Sequence, residues 1–211
     1  RPYSFGIFFT IAFTLFWLKI WKQKDNKFDF IGFVIYGYLA IVTHYFASFQ
    51  IAFLLLLGLL NLPKKELKTY LLGILSISLL FLPHLNISLH HLSIGGVYWI
   101  SEPDITFVFQ FIDYLFNSSG PFVIAVCSLP FIALFLRSFN WKPALHFLLL
   151  SLLLIPYLTA YFFSIYMTPI LQFSVLLFAA PFLILFFCSF IAKTINSNVV
   201  YSISSIFLFI G

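Results

Sequence analysis

Long apolar runs alternate with short polar interruptions along this chain. Seven of the runs are of a length to cross a bilayer core, which takes about 20 residues of helix. They fall at 3–21, 29–47, 48–62, 68–86, 121–139, 144–164 and 170–191, with a partial eighth at 199–211. The pattern predicts an all-α, polytopic transmembrane helix bundle forming one domain over 1–211. The turn between the second and third runs is expected within 46–50, FASFQ. The stretch 87–120 breaks the pattern. Gly95-Gly96 interrupts what precedes it, and Ser101 or Asp104 is placed to cap a new helix with Pro103 in its first turn. Ile105, Val108, Phe109, Ile112 and Phe116 then fall on one face, and Gln110, Asp113 and Asn117 on another. This predicts an amphipathic helix too polar to span, lying along the outer interface. Pro130, Pro156 and Pro181 stand within apolar runs and are expected to kink their helices.

Composition turns this pattern into a class. Hydrophobic residues make up 63% of the chain, charged residues 8%, and mean hydropathy is +1.09. A soluble domain needs far more charge to cover its surface. Cys127 and Cys188 lie in apolar runs with no CxxC spacing, so two buried apolar thiols are expected rather than a disulfide or metal framework. No cleavable signal pattern is present. The chain starts on Arg1 and stops inside an apolar run at Gly211. Both ends are therefore expected to be cut from a longer polytopic protein.

The net charge of +5 matters less than its placement. Lys19, Lys22, Lys24 and Lys27 share one connector. Lys64, Lys65 and Lys68 share the next but one, Arg137 and Lys142 the next on that side, and Lys193 the last. Of 11 lysines and arginines, only Arg1 falls on the opposite side. The positive-inside rule puts the basic connectors in the cytoplasm. It puts Arg1, His44-Tyr45, 87–120 and 166–174 outside.

Polar groups at membrane depth are costly and tend to serve function. His44 and Tyr45 read equally well as a pair lining an outward cavity and as an interfacial histidine beside a belt tyrosine. His90 and His91 are adjacent and diverge by about 100° on a helix, and His84 lies two turns from His91, which disfavours a metal site. A polar patch near headgroups or a phosphate fits them better. Glu102 and Asp104 are the acidic candidates outside, for general-base work or for a divalent cation. A charged helix start explains them equally and is preferred for Asp104. Asp113 reads as a solvated face, and His146 as structural. Gln172, in YMTPILQF, points either into a cavity or at the interface. With no Walker loop, GxGxxG, nucleophile elbow or HExxH, neither a nucleotide nor a nucleic acid is expected as partner.

Four motifs occur in an order that resembles one family. Arg1-Pro2-Tyr3-Ser4 opens a helix from its outer end, and Thr43-His44-Tyr45-Phe46 ends the next one out. Leu82-Pro83 is followed by Tyr98-Trp99-Ile100 and Glu102-Pro103. Thr168-Pro169-Ile170-Leu171 leads through Leu176-Leu177-Phe178 to Pro181. The order is similar to that of the bacterial GT-C integral-membrane glycosyltransferases. These are relatives of the dolichyl-phosphate-mannose protein mannosyltransferases and of the lipid A aminoarabinose transferase. Where many relatives carry Arg-Tyr, this chain has Ser174-Val175, so a phosphate contact made there would be absent or made elsewhere. The resemblance implies an enzyme of the bacterial cytoplasmic membrane. It would move a sugar from a polyprenyl-phosphate donor to a glycan, lipid or protein acceptor on the outer face. Arg1, Tyr3, His44, Tyr45 and Gln172 would bind substrate and Glu102 would assist catalysis, the family's principal acid lying upstream of Arg1. The competing readings are a multispan transporter or lipid flippase, and a polymerase of lipid-linked glycans.

Overall fold

The computed structural model describes residues 3–21, 26–93 and 100–191, and every regular element in them is a helix. Arg1, Lys22, Lys24, Gly95-Gly96, Tyr98-Trp99, Lys193 and the run 199–211 lie outside the described residues. The chain forms two compact units, Arg1–Trp99 and Ile100–Gly211.

Unit 1 holds α1 (Tyr3–Trp21), α2 (Lys27–Thr43), α3 (Tyr45–Asn61) and α4 (Lys64–Ser93). Phe13 of α1 packs on Phe33 of α2, ring centroids 5.0 Å apart. At Gly37 two neighbouring helices approach at once. A Cβ there would stand 2.7 Å from Ile77 of α4 and 3.0 Å from Phe13. Hydrogen at this position lets both neighbouring helices seat against α2. Toward the basic end, Trp17 Nε1 donates to the Tyr70 hydroxyl at 2.9 Å. That hydroxyl in turn donates to the α3 carbonyls of Leu55 at 3.1 Å and Leu54 at 3.3 Å. Buried polar groups demand partners, and here one hydroxyl joins three helices. At the same end Lys19 Nζ meets Asp29 Oδ1 at 2.6 Å. Asp29 also completes a capping box with Asn26 at the start of α2, the reciprocal bonding that satisfies two of the helix's free N–H groups.

The α2–α3 break falls at His44, not within 46–50. His44 has extended backbone and ends α2 while starting α3. Its Nδ1 accepts from the Phe46 N–H at 3.2 Å, doing for an N-terminus what Ser or Asp usually does. Ser48 Oγ then reaches back to Ile41 O at 3.0 Å and tightens the corner. α4 runs past residue 86 to Ser93, through Pro83. At 1.5 Å per residue its 30 residues reach about 45 Å.

Unit 2 holds α5 (Phe107–Leu115), α6 (Gly120–Phe135), α7 (Pro143–Tyr166), α8 (Phe173–Leu176) and α9 (Ala180–Cys188). α5 ends in a left-handed Asn117, with Ser118 N–H bonded to Asp113 O at 2.8 Å and Asn117 N–H to Tyr114 O at 3.2 Å. α6 closes in the same way over a left-handed Arg137. These are Schellman ends, usually built on glycine. Between α5 and α6 the chain turns by 98°.

Three expectations for this region change. The amphipathic helix begins at Phe107, with neither Ser101 nor Asp104 as its cap residue. Asp104 Oδ1 instead accepts from Thr106 N at 2.8 Å and Thr106 Oγ1 at 2.7 Å in the preceding turn. The buried face is also rotated. Phe111 and Phe116 are buried, while Ile105 and Phe109 are exposed at 84% and 71%. Stacking decides this, because Phe107 and Tyr114 both pack on Phe173 beside α8. Finally, Pro181 starts α9 rather than kinking a helix, and the run 170–191 splits into α8 and α9. Pro130 and Pro156 do lie inside α6 and α7.

Among the described residues, three helices are long and apolar enough to cross a membrane, within Tyr3–Trp21, Lys64–His90 and Pro143–Tyr166, or four if α5 and α6 form one bent span. This marks a membrane protein. It is fewer than the seven full spans expected from the runs, since α2 and α3 have 17 residues each and α6 has 16. Cys127 and Cys188 are exposed, contrary to the expectation of burial. The surface around Cys127 is itself apolar, with Ile124, Phe131 and Leu134 exposed. In a membrane protein an apolar run does not imply a protein core.

Candidate functional site

In unit 1, α1 and the α2–α3 corner bring two motif residues together at the end opposite the lysines. The rings of Tyr3 and His44 lie 5.5 Å apart, tilted by 44°. The next residue, Tyr45, is exposed at the first turn of α3. Burial pushes the His44 imidazole below its ordinary pKa, because a charged ring loses solvation there. Its Nδ1 already accepts a backbone hydrogen bond. A neutral ring with Nδ1 as acceptor carries its proton on Nε2.

Beneath this mouth the core is polar in places. Thr10 of α1 and Gln50 of α3 are both fully buried. The Thr10 hydroxyl has no hydrogen-bond partner among the described residues. Sequence reading passed over Thr10 and assigned Gln50 to a turn. The available signal was a polar side chain within an apolar run.

Unit 2 places its candidates around α5. Glu102 is exposed and makes no hydrogen bond or ion pair among the described residues. Asp104 is committed to Thr106, and Asp113 Oδ2 accepts from Ser118 Oγ at 2.8 Å. Glu102 is therefore the carboxylate of this segment with no structural duty. Gln172 is half-buried at the start of α8, where its Oε1 accepts from Ser174 Oγ at 3.4 Å. Its neighbour Phe173 packs on α5. The loop leading to Gln172 is fixed by Ser164, whose buried hydroxyl accepts from the N–H groups of Ile170 at 3.0 Å and Leu171 at 2.9 Å. Nothing in the sequence pattern singled out Ser164. A cavity of about 60 Å³ lies under α5, lined by Val108, Phe111, Ile112, Tyr157, Leu176 and Leu183 among others. Its walls are apolar except at Tyr157.

Of the other histidines, His84, His90 and His146 are described, and the side chain of His91 lies outside the described residues. His84 packs against Phe81 and His90 is exposed, both on α4. His146 is 2% exposed and forms an aromatic cluster with Trp141 at 4.7 Å and Phe190 at 4.2 Å. Its Nδ1 lies 3.1 Å from Lys142 N and 2.8 Å from Lys142 O, folding back onto the first turn of α7. Its Nε2 has no partner among the described residues.

Of the sequence candidates, Tyr3 and His44 are in contact, with Tyr45 adjacent. Glu102 and Gln172 belong to unit 2. Arg1 lies outside the described residues. No protein-family model, no curated protein and no solved structure matches the chain.

Proposed function

We propose that this chain is part of a bacterial cytoplasmic-membrane glycosyltransferase. It would transfer a sugar from a polyprenyl-phosphate donor to an acceptor on the outer face. The observation that carries the reading is the contact between Tyr3 and His44. They belong to two motifs some forty residues apart whose order prompted the resemblance, and they meet at the end of unit 1 away from the lysines. In this reading α2, α3, α6 and the α8–α9 segment complete seven crossings. Helices of 16–17 residues sit at the short limit for a span. α5 lies along the outer interface, which its 98° turn from α6 favours.

The reaction is a displacement at the anomeric carbon. The acceptor hydroxyl oxygen forms the new bond, and the bond from that carbon to the phosphate oxygen breaks. Polyprenyl phosphate leaves with the electron pair, and a carboxylate takes the hydroxyl proton. Tyr3, His44 and Tyr45 hold the phosphate end of the donor, together with Arg1, whose guanidinium fork suits phosphate oxygens. Glu102 supplies a free carboxylate, and Gln172 lines the acceptor side. A divalent cation is compatible with Glu102 and is not required by the scheme.

Purified full-length protein in vesicles should consume polyprenyl-phosphate sugar. Tyr3→Ala and Arg1→Ala should each slow turnover at least about tenfold, the usual scale for losing a charged or positioned contact in a transition state. Unchanged turnover in both variants would remove this mouth from the site. A lipid flippase is the second reading, favoured by the buried polar Thr10 and Gln50 inside the unit 1 bundle.

A further inference from the structure

We propose that the basic end of unit 1 is a docking surface for anionic phospholipid headgroups. Lys27 opens α2, and Lys64, Lys65 and Lys68 lie in the first two turns of α4. All four are exposed. The α1–α2 and α3–α4 connections bring them to one end of the bundle, and the Trp17–Tyr70 bond fastens α1 to α4 near that end.

Their charge is not consumed by the protein. Asp29 is 5% exposed and committed to Lys19 and to the α2 cap. Glu66 stands 3.9 Å from Lys65. Lys27, Lys64 and Lys68 have no ion pair among the described residues. Exposed lysines that merely solubilise an end are commonplace. Here they share that end with Phe28, next to Lys27, which is 80% exposed. Trp21 closes α1 at the same level. Lysines over a wedge of exposed aromatic suit a surface with anions at the rim and hydrocarbon beneath.

Charge complementarity then selects the lipid. A zwitterionic headgroup offers four clustered cations no net charge, whereas an anionic leaflet is worth roughly fivefold in affinity per lysine near its surface. A free phosphate would satisfy the lysines and leave Phe28 in water. The occupant is therefore the headgroup of an anionic lipid with its chains. This inference depends on the chain being a membrane protein and is independent of its catalytic reading.

The test uses Trp17 and Trp21 as reporters in the full chain, with Trp99→Phe and Trp141→Phe removing the other signals. The protein is placed in phosphatidylcholine vesicles carrying either brominated phosphatidylglycerol or brominated phosphatidylcholine. Phosphatidylglycerol should quench with at least about fivefold higher apparent affinity. Lys64→Gln/Lys65→Gln/Lys68→Gln should bring the ratio close to one. Glu66→Gln should raise it, a gain that misfolding cannot mimic. Equal quenching by the two lipids would overturn the proposal, as would a preference that survives the triple substitution. Loss of the preference on adding inorganic phosphate would show a soluble-anion site instead.

Discussion

The two units hold themselves together differently. Unit 1 is fastened by side-chain bonds between residues far apart in sequence. Trp17 and Tyr70, 53 positions apart, form one such bond, and Tyr70 with Leu54, 16 positions apart, forms another. In unit 2 the described side-chain hydrogen bonds are local, the longest joining Ser164 to Leu171 across seven positions. Its distant parts meet through aromatic stacking, as in the cluster of His146, Trp141 and Phe190, and through a backbone bond from Asn140 N–H to Phe190 O. Lipid-facing helices gain little from the hydrophobic effect against one another, so packing and polar contacts must choose their partners. Unit 1 makes that choice with polar contacts and close glycine packing. Unit 2 makes it with shape.

The sharpest way to break this comparison is a methyl group. A Cβ on Gly58 would overlap the Tyr70 hydroxyl. Gly58→Ala should therefore cost about 3–5 kcal/mol, combining overpacking with loss of a buried hydrogen bond. Gly120 in unit 2 has open space around it, and Gly120→Ala should stay within about 0.5 kcal/mol. Thermal unfolding in one detergent compares them, and equal losses would erase the distinction. Next in size is Ser164→Ala. It strands the N–H groups of Ile170 and Leu171 and should cost about 2–4 kcal/mol, in the lower part of the range for two groups left without a partner because Ile170 is half-buried. Protease cleavage confined to 167–172 would mark the damage as local, whereas global unfolding would show that Ser164 fastens the whole unit.

Tyr70→Phe should cost about 1–3 kcal/mol, because Trp17 Nε1 loses its acceptor in a buried place. A value near zero would mean that apolar packing alone sets the α1–α4 contact. The smallest effect concerns His44. His44→Ala removes a helix cap, worth about 1 kcal/mol, whereas His44→Asn keeps a capping side chain. The pH response separates this cap from an ordinary one. The folded ring resists protonation while the unfolded ring takes a proton near pH 6.5. Its stabilisation is complete above that pH and is lost as pH falls through the lower folded value. Acidification should therefore weaken wild type more than His44→Asn, as read by unfolding at a series of pH values. Parallel pH curves would contradict the burial of the ring.

Much of the architecture was legible because membrane helices are written in long runs flanked by charge. α1 occupies the predicted 3–21, and Lys27 and Lys64 open α2 and α4. What escaped depends on partners outside the local window. The His44 break has apolar residues on both sides, and its signal is one ring nitrogen taking a backbone proton. The buried face of α5 follows Phe173, nearly sixty residues on from its contact Tyr114, rather than the helix's own periodicity. The Trp17–Tyr70 bond has no local signature at all. The candidate site was half legible. The pairing of Tyr3 with His44 joins two motifs picked from sequence, whereas the bond that occupies Asp104, to Thr106, has no signature in the sequence pattern.

The central claim concerns one bond, between the sugar and the lipid phosphate. It is tested most directly in vesicles holding the full-length protein and a polyprenyl-phosphate sugar labelled in both the sugar and the lipid. The account predicts that this bond is cleaved, with unglycosylated polyprenyl phosphate accumulating in the same leaflet, and that Tyr3→Ala slows its appearance. Recovery of the intact lipid-linked sugar in the opposite leaflet, with no free polyprenyl phosphate, would contradict the account and identify a flippase.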